Sequence, residues 1–116
     1  MKKVYYLSTC STCKRIMDNL PLQNFEKQDI KSDKITLSQI EEMYKLSGSY
    51  ESLFSRRSMQ YKALGLASKS LSEEDYKKYI LDEYTFLKRP VFIVDNEIFI
   101  GNSKKEIKKV EQKLNA

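Results

Sequence analysis

The stretch YYLSTCSTCKRIMDNL, residues 5–20, holds both cysteines of the chain at the junction of two predicted elements. Lys2 to Leu7 is short, largely apolar and aromatic, a composition that predicts a strand. Ser11 or Thr12 can cap a helix that runs to the end of the quoted stretch, and Pro21 stops that helix. A strand, a Cys-x-x-Cys motif and a helix therefore follow one another directly.

The Cys-x-x-Cys spacing places two thiols within one helical turn. Free N–H groups and the partial positive charge at the start of a helix stabilise a thiolate, and Lys14 and Arg15 add cationic charge. We expect Cys10 to be the more exposed and more acidic thiol, and Cys13 to resolve a mixed disulfide. In a chain that begins β-α-β, the motif is typical of a thioredoxin-like redox protein. Half of a shared zinc site and two merely structural cysteines remain the alternatives.

Composition limits the other classes of function. The 116 residues suffice for one domain, and 41% hydrophobic residues indicate a globular chain rather than a disordered one. There is no apolar run of about 18 residues and no signal-peptide core after Met1, so we expect a cytoplasmic protein without a membrane partner.

Charge and the lack of histidine narrow the chemistry further. Without histidine, Ser-His-Asp and Cys-His catalysis are excluded, and two cysteines cannot complete a zinc site, so no metal is expected. The net charge of +5 comes largely from lysines near the C-terminus, which are typical of a solvated helix face. We expect no direct nucleic-acid binding, while a positive field suits small oxyanions.

The rest of the chain predicts a second strand, a helical block, a hairpin and a final helix. Asp95-Asn96 is a two-residue turn of the type that hairpins prefer. Pro90 stands just before the third strand, where a thioredoxin-like fold places a cis-proline. The predicted elements after the first helix are a strand at 24–29, a helix from Thr36 or Ser38 to Gly48, a short helix closed by Gly65, a helix from Ser72 through Leu81, strands Val91–Val94 and Glu97–Ile100, and a helix capped by Ser103.

This order, β-α-β, helical block, β-β-α, predicts a single α/β domain over residues 1–116. We expect a thioredoxin-like fold with a mixed sheet and a helical insertion at roughly 36–86.

Several motifs spread over the chain add to this picture. They are Cys10-Ser11-Thr12-Cys13-Lys14, Arg57-Ser58 with Tyr61-Lys62-Ala63-Leu64-Gly65, Leu87-Lys88-Arg89-Pro90-Val91 and Ile100-Gly101-Asn102. In this ordered set the chain resembles the ArsC/Spx family, which comprises glutaredoxin-like arsenate reductases and their regulatory relatives.

The resemblance implies roles for particular residues. Cys10 matches the nucleophile, which in arsenate reductases attacks the oxyanion. Lys14, Arg57 (with Arg56 as the register alternative) and Arg89 are implied to bind the anion, and guanidinium groups with helix-end amides suit a tetrahedral oxyanion. No bound cofactor is implied. The reductant would be an external thiol, either glutathione with glutaredoxin or thioredoxin.

The chain also departs from the arsenate reductases of this family. Tyr6 stands where many of them have a histidine, no arginine follows Arg89, and Cys13 stands where they often have a serine. Spx-like members carry Cys-x-x-Cys. Three functions therefore remain open: an arsenate-reductase-like thiol oxidoreductase, which we expect; a Spx-like regulator whose Cys10–Cys13 switch controls binding to the RNA polymerase alpha subunit; and a binding module with a structural thiol pair.

Overall fold

The computed structural model describes residues 1–115, which divide into two compact units. The first unit consists of Met1–Lys34 together with the chain from Arg89 onward, and the second is Ile35–Lys88. The helical segment predicted at 36–86 falls inside the second unit. No helix in the described part of the chain is long and apolar enough to cross a bilayer.

The first unit is built on a four-stranded sheet with strand order β2-β1-β3-β4. Strand β1 pairs with β2 in parallel and with β3 antiparallel, and β3 pairs antiparallel with β4, so the predicted mixed sheet is confirmed. The elements of this unit are β1 (Lys2–Tyr6), α1 (Ser11–Asp18), β2 (Glu26–Asp29), β3 (Val91–Val94), β4 (Glu97–Ile100) and α5 (Lys104–Leu114).

One face of this sheet carries the core of the first unit. Alternate residues of each strand point to the same face, and here they meet the apolar sides of α1 and α5, as their helical spacing predicts. Phe25 packs edge-on against Phe92 with ring centroids 6.3 Å apart. The buried core consists of Val4, Ile16, Leu22, Phe25, Phe92, Val94, Phe99 and Val110, with Met17, Leu20, Ile107 and Leu114 packed around it.

The ends of α1 differ from the prediction. Cys10 is the residue before the first helical turn, so neither Ser11 nor Thr12 caps the helix. The helix ends at Asp18 because Asn19 closes it: the Asn19 side chain donates to the Arg15 carbonyl at 2.9 Å, and its backbone N–H donates to the Ile16 carbonyl at 3.2 Å. The chain therefore leaves the helix before Pro21 is reached.

The Arg89–Pro90 peptide bond is cis, as predicted. The Pro90 carbonyl accepts the N–H of Gly101 at 2.9 Å, which ties the entry to β3 to the exit from β4. Gly101 has a φ of +89°, a left-handed conformation that glycine adopts without strain. The hairpin has the predicted strands, and its turn residue Asp95 also has a positive φ of 56°.

The second unit is helical and centres on an aromatic cluster. Phe54 stacks on Phe86 with centroids 5.0 Å apart and contacts Tyr76 at 4.9 Å. An antiparallel bridge joins Phe54 to Leu87. Its helices are α2 (Leu37–Ser47), α3 (Met59–Ala63) and α4 (Glu73–Asp82), with 3-10 turns at Glu51–Leu53, Leu66–Ser68 and Tyr84–Phe86.

Side-chain caps explain where the longer helices of this unit begin. Thr36 and Gln39 form a capping box at α2, and Ser72 and Asp75 form one at α4, so each helix starts with two of its free N–H groups satisfied. Of the two predicted caps for α2, Thr36 is the one used. Gly48 ends α2 in the left-handed conformation that the sequence predicts there.

Candidate functional site

Cys10 stands in a tight turn between β1 and α1. Its backbone N–H donates to the Leu7 carbonyl at 3.0 Å, and its own carbonyl accepts the N–H of Lys14 at 3.2 Å, the first bond of the helix. The residue is therefore fixed on both sides. Its side chain is half-buried, while Cys13, one turn into the helix, is fully buried, so the predicted difference in exposure is confirmed.

The pKa of the Cys10 thiol lies below its ordinary value. Partial burial would raise that pKa, but the backbone N–H and the thiol of Cys13, the charge of Arg89 and the N–H of Thr12 together outweigh burial. The Cys10 side chain makes no cap hydrogen bond, but these N–H groups are close enough to lower the pKa of its thiol. Cys10 is thus the thiol that ionises first, as the sequence predicts.

The pKa of the Cys13 thiol, in contrast, lies above its ordinary value. Burial, together with the neighbouring Cys10 thiol and charge, raises the pKa of its thiol to about 12, against the opposing effects of the Leu7 N–H and of Arg89. A thiol with this pKa is protonated at neutral pH and is a poor nucleophile. The motif therefore holds one ionisable thiol next to one protonated thiol, both free in the structure.

The positive charge of Arg89 lowers the pKa of the Cys10 thiol. Strand β3 begins opposite Tyr5, so the chain that enters β3 through Arg89 and Pro90 runs beside the end of β1 and its cysteine turn. Lys14 and Arg15, predicted to supply this charge, are exposed on α1. A cation does favour the Cys10 thiolate, but it is Arg89, which is distant in sequence and is brought to the turn by the β1–β3 pairing.

A groove of about 630 Å³ opens on the first unit beside the same turn. Leu7, Met17 and Leu22 give it apolar walls, and Lys14 and Lys27 add positive charge. Lys27 is held by a bond of 3.2 Å from its Nζ to the Leu22 carbonyl. Cys10 does not line this groove. Lys14, an implied anion-binding residue, belongs to the groove.

The two candidate arginines of the second unit have different surroundings. Arg56 donates to a carboxylate oxygen of Glu51 at 2.8 Å and to the Tyr76 hydroxyl at 3.0 Å, and Glu51 raises the pKa of its guanidinium. Its guanidinium also lies 6.0 Å from the centre of the Phe54 ring. Arg57 is exposed, and its backbone N–H bonds to the Ser55 hydroxyl at 3.3 Å. Arg56 is thus committed to contacts within its own unit.

Sequence analysis missed one residue at the cysteine turn, Asp29. Its carboxylate accepts the N–H of Ser8 at 3.2 Å. The available signal was an acidic residue at the end of a strand predicted to lie parallel to β1. For metals, the described residues contain no group of three or more His, Cys, Asp or Glu side chains that could hold an ion.

The chain is similar in sequence to a known protein family and to a curated protein. Residues 5–110 match the model of the ArsC family. Among curated proteins, the chain is 25% identical over 115 residues to global transcriptional regulator Spx 1 of Bacillus cereus, which spans 94% of this chain and 86% of the regulator.

Solved structures show the same fold. A putative ArsC family related protein from Bacteroides fragilis superimposes with a TM-score of 0.78 at 24% identity, covering 94% of this chain and 97% of that one. A putative arsenate reductase from Yersinia pestis gives a TM-score of 0.77 at 15% identity, covering 94% and 99%. These neighbours confirm the predicted thioredoxin-like fold.

The role of Arg89 is testable by substitution. In Arg89→Gln the guanidinium that favours the thiolate is gone, so we expect the pKa of Cys10 to rise. The rate of Cys10 alkylation by iodoacetamide, followed by mass spectrometry as a function of pH, should reach its midpoint at higher pH than in the wild type. Arg15→Gln removes an exposed cation from α1 and should leave the midpoint in place. Equal shifts in both variants, or none in Arg89→Gln, would contradict the assignment.

Proposed function

The chain belongs to the ArsC family, and from that premise we propose that it is an arsenate-reductase-like thiol oxidoreductase of the cytoplasm that binds no cofactor. The observation that supports this proposal is the opposite direction of the two thiol pKa shifts in one helical turn. Cys10 acts as the nucleophile, and Cys13 resolves the intermediate. An external thiol, glutathione with glutaredoxin or thioredoxin, supplies the electrons.

With a disulfide as substrate, the reaction takes two exchanges. The Cys10 thiolate attacks one sulfur of the substrate, forming a new S–S bond and releasing the other sulfur as a thiolate. Cys10 then carries no charge, so part of what raises the Cys13 pKa is removed. Cys13 gives its proton to the departing thiolate and attacks the Cys10 sulfur. This attack breaks the bond between Cys10 and the substrate, so one substrate sulfur leaves as a thiol and the other as a thiolate, and the protein holds a Cys10–Cys13 disulfide for the external reductant.

With arsenate as substrate, the first bond forms to arsenic. The Cys10 sulfur displaces one oxygen of arsenate as water, giving a thiol ester of As(V). Attack of Cys13 or an external thiol on the Cys10 sulfur breaks the S–As bond, and its electron pair reduces As(V) to As(III), released as arsenite. The two electrons come from the two thiols, which end as a disulfide. Arg89 would offset the negative charge of the bound anion.

The resemblance also assigns anion binding to an arginine of the middle segment, and we assign it to Arg57. Arg56 is engaged by Glu51 and Tyr76, so releasing it for an anion would break a charge-assisted bond of 2.8 Å. Arg57 is exposed, as Arg56 is, but forms no ion pair with a described residue that it would have to give up. Lys14 remains the implied third cation, at the edge of the groove.

The two-thiol mechanism predicts a trapped intermediate. In Cys13→Ser the resolving sulfur is gone, so a mixed disulfide between Cys10 and a small disulfide substrate, such as oxidised glutathione, should accumulate. Mass spectrometry of the intact protein should detect the adduct in Cys13→Ser and none in Cys10→Ser. An adduct that forms on Cys13 in Cys10→Ser, at the rate seen on Cys10, would contradict the division of roles.

The arginine assignment predicts unequal losses in arsenate turnover. Arsenite formation with glutathione and glutaredoxin, or with thioredoxin, should fall about ten-fold or more in Arg57→Gln, since a charged hydrogen bond to an anion is worth roughly 1.5–3 kcal/mol. Arg56→Gln is the matched control. It should retain most of its activity per folded molecule while losing stability. A larger loss of turnover in Arg56→Gln would reverse the assignment.

A Spx-like regulator is the second candidate, supported by the match to a global transcriptional regulator over 94% of this chain. In that function the Cys10–Cys13 disulfide would change affinity for the C-terminal domain of the RNA polymerase alpha subunit. Calorimetric titration with the reduced and the oxidised protein separates the two functions. Binding that depends on oxidation, and is lost in Cys10→Ser, supports the regulator. Arsenite production without binding in either state supports the enzyme.

A further inference from the structure

The turn that carries Cys10 is anchored by a side chain from another strand. The Asp29 carboxylate accepts the backbone N–H of Ser8 at 3.2 Å, only two residues before Cys10. The same oxygen accepts the N–H of Lys31 at 3.2 Å, and the second oxygen accepts the hydroxyl of Ser32 at 3.2 Å. One carboxylate therefore joins the end of β2 to the start of the cysteine turn.

The parallel pairing of β1 and β2 explains why Asp29 reaches this turn. Tyr6 and Asp29 are partners in the β1–β2 register, so both strands end at the same edge of the sheet. The N–H of Ile30 donates to the Tyr6 carbonyl at 2.9 Å, which continues the ladder one residue further. Beyond that point β1 has no backbone partner in β2, and the Asp29 side chain continues the connection to Ser8.

Little chain separates this anchor from the reacting sulfur. Thr9 alone lies between Ser8 and Cys10, and the Cys10 N–H is already bonded to the Leu7 carbonyl. With Ser8 held as well, the turn has little freedom to move Cys10 away from the N–H groups at the start of α1. Those N–H groups, from Thr12 and Cys13, are among the causes that lower the pKa of Cys10.

We propose that Asp29 is a positioning residue for Cys10, holding the Ser8 N–H so that the sulfur stays aligned with the first N–H groups of α1. This role rests on the proposed function of Cys10 as the ionised nucleophile. Asp29 touches no reacting atom and acts only through the turn.

The state of the Asp29 carboxylate is consistent with this role. Slight burial would raise its pKa, but the hydroxyl and N–H of Ser8, the N–H of Lys31 and the hydroxyl of Ser32 outweigh burial and lower it. The carboxylate is therefore ionised at neutral pH, and hydrogen bonds to an ionised acceptor are stronger than those between neutral groups.

The direction in which the pKa of Cys10 shifts when Asp29 is replaced distinguishes a positioning role from a purely electrostatic one. A carboxylate near Cys10 disfavours the thiolate through its own charge, so deleting that charge alone would lower the pKa of Cys10. Loss of positioning has the opposite effect, because the sulfur leaves the N–H groups that stabilise it. A side chain that contributes only to the stability of the fold would leave the pKa of Cys10 unchanged while the protein remains folded.

The experiment is the pH dependence of Cys10 alkylation by iodoacetamide in the full chain, with folding checked by circular dichroism. In Asp29→Ala the midpoint should move to higher pH, and the rate at neutral pH should fall several-fold. Asp29→Asn deletes the charge but keeps an acceptor oxygen for the Ser8 N–H, so its midpoint should stay at or below that of the wild type. Asp33→Ala is the matched control, since it removes an exposed acidic side chain of the same loop, and should behave as the wild type.

A midpoint in Asp29→Ala that stays in place or moves to lower pH, with the wild-type midpoint below the ordinary thiol value, would overturn the positioning role alone. An ordinary midpoint in the wild type would contradict the proposed function, and the positioning role with it. Should Asp29→Ala fail to fold, the midpoint of Asp29→Val, which also lacks an acceptor for the Ser8 N–H, decides: a rise supports the role, and an unchanged or lower value overturns it.

Discussion

The free N–H groups of Thr12 and Cys13 lower the pKa of the Cys10 thiol because the chain enters α1 at this residue. The turn is closed by the bond from the Cys10 N–H to Leu7 and by the first helical bond to the Cys10 carbonyl. Strand β1, which delivers the turn, is paired on both sides by β2 and β3. The sheet thus fixes the turn, and the turn fixes which thiol faces the dipole of the helix.

The two thiols differ because one helical turn separates a half-exposed position from a buried one. At the first position the N–H groups of the helix, the Cys13 thiol and Arg89 outweigh partial burial, and at the second burial and the neighbouring Cys10 together raise the pKa. The same spacing keeps the thiols close enough to influence each other, so ionisation of Cys10 opposes ionisation of Cys13. In a mixed disulfide Cys10 carries no charge, so it would no longer raise the pKa of Cys13 by that route. In the proposed reaction Cys13 would then react after Cys10 without a further base.

Local signals predicted much of this fold from the sequence. The Asp95-Asn96 turn fixed the bounds of β3 and β4, and Ser72 and Ser103 marked the starts of α4 and α5, because hairpin turns and helix caps depend on a few neighbouring residues. The cap of α1 was missed because Ser11 and Thr12 are better caps by residue type than Cys10. The turn after β1 decides where that helix begins, and residue preferences do not encode it.

Which residues surround Cys10 depends on long-range placement in the fold. Lys14 and Arg15 are the nearest cations in sequence, yet the β1–β3 register brings Arg89 to the thiol. Asp29 reaches Ser8 only because β1 and β2 end together. The proposed choice of Arg57 over Arg56 likewise rests on the contacts of Arg56 with Glu51 and Tyr76. Each of these depends on strand pairing or packing, which a single sequence shows only indirectly.

A titration of both thiols in a single sample tests most directly whether this motif holds one acidic and one protonated thiol. Cysteine labelled with carbon-13 at Cβ reports ionisation of each thiol by NMR as the pH is raised. We predict that Cys10 titrates below the free-thiol value of about 8.5 and that Cys13 remains a thiol far above it, in keeping with its pKa of about 12. Two thiols that titrate together near the free value would contradict the account.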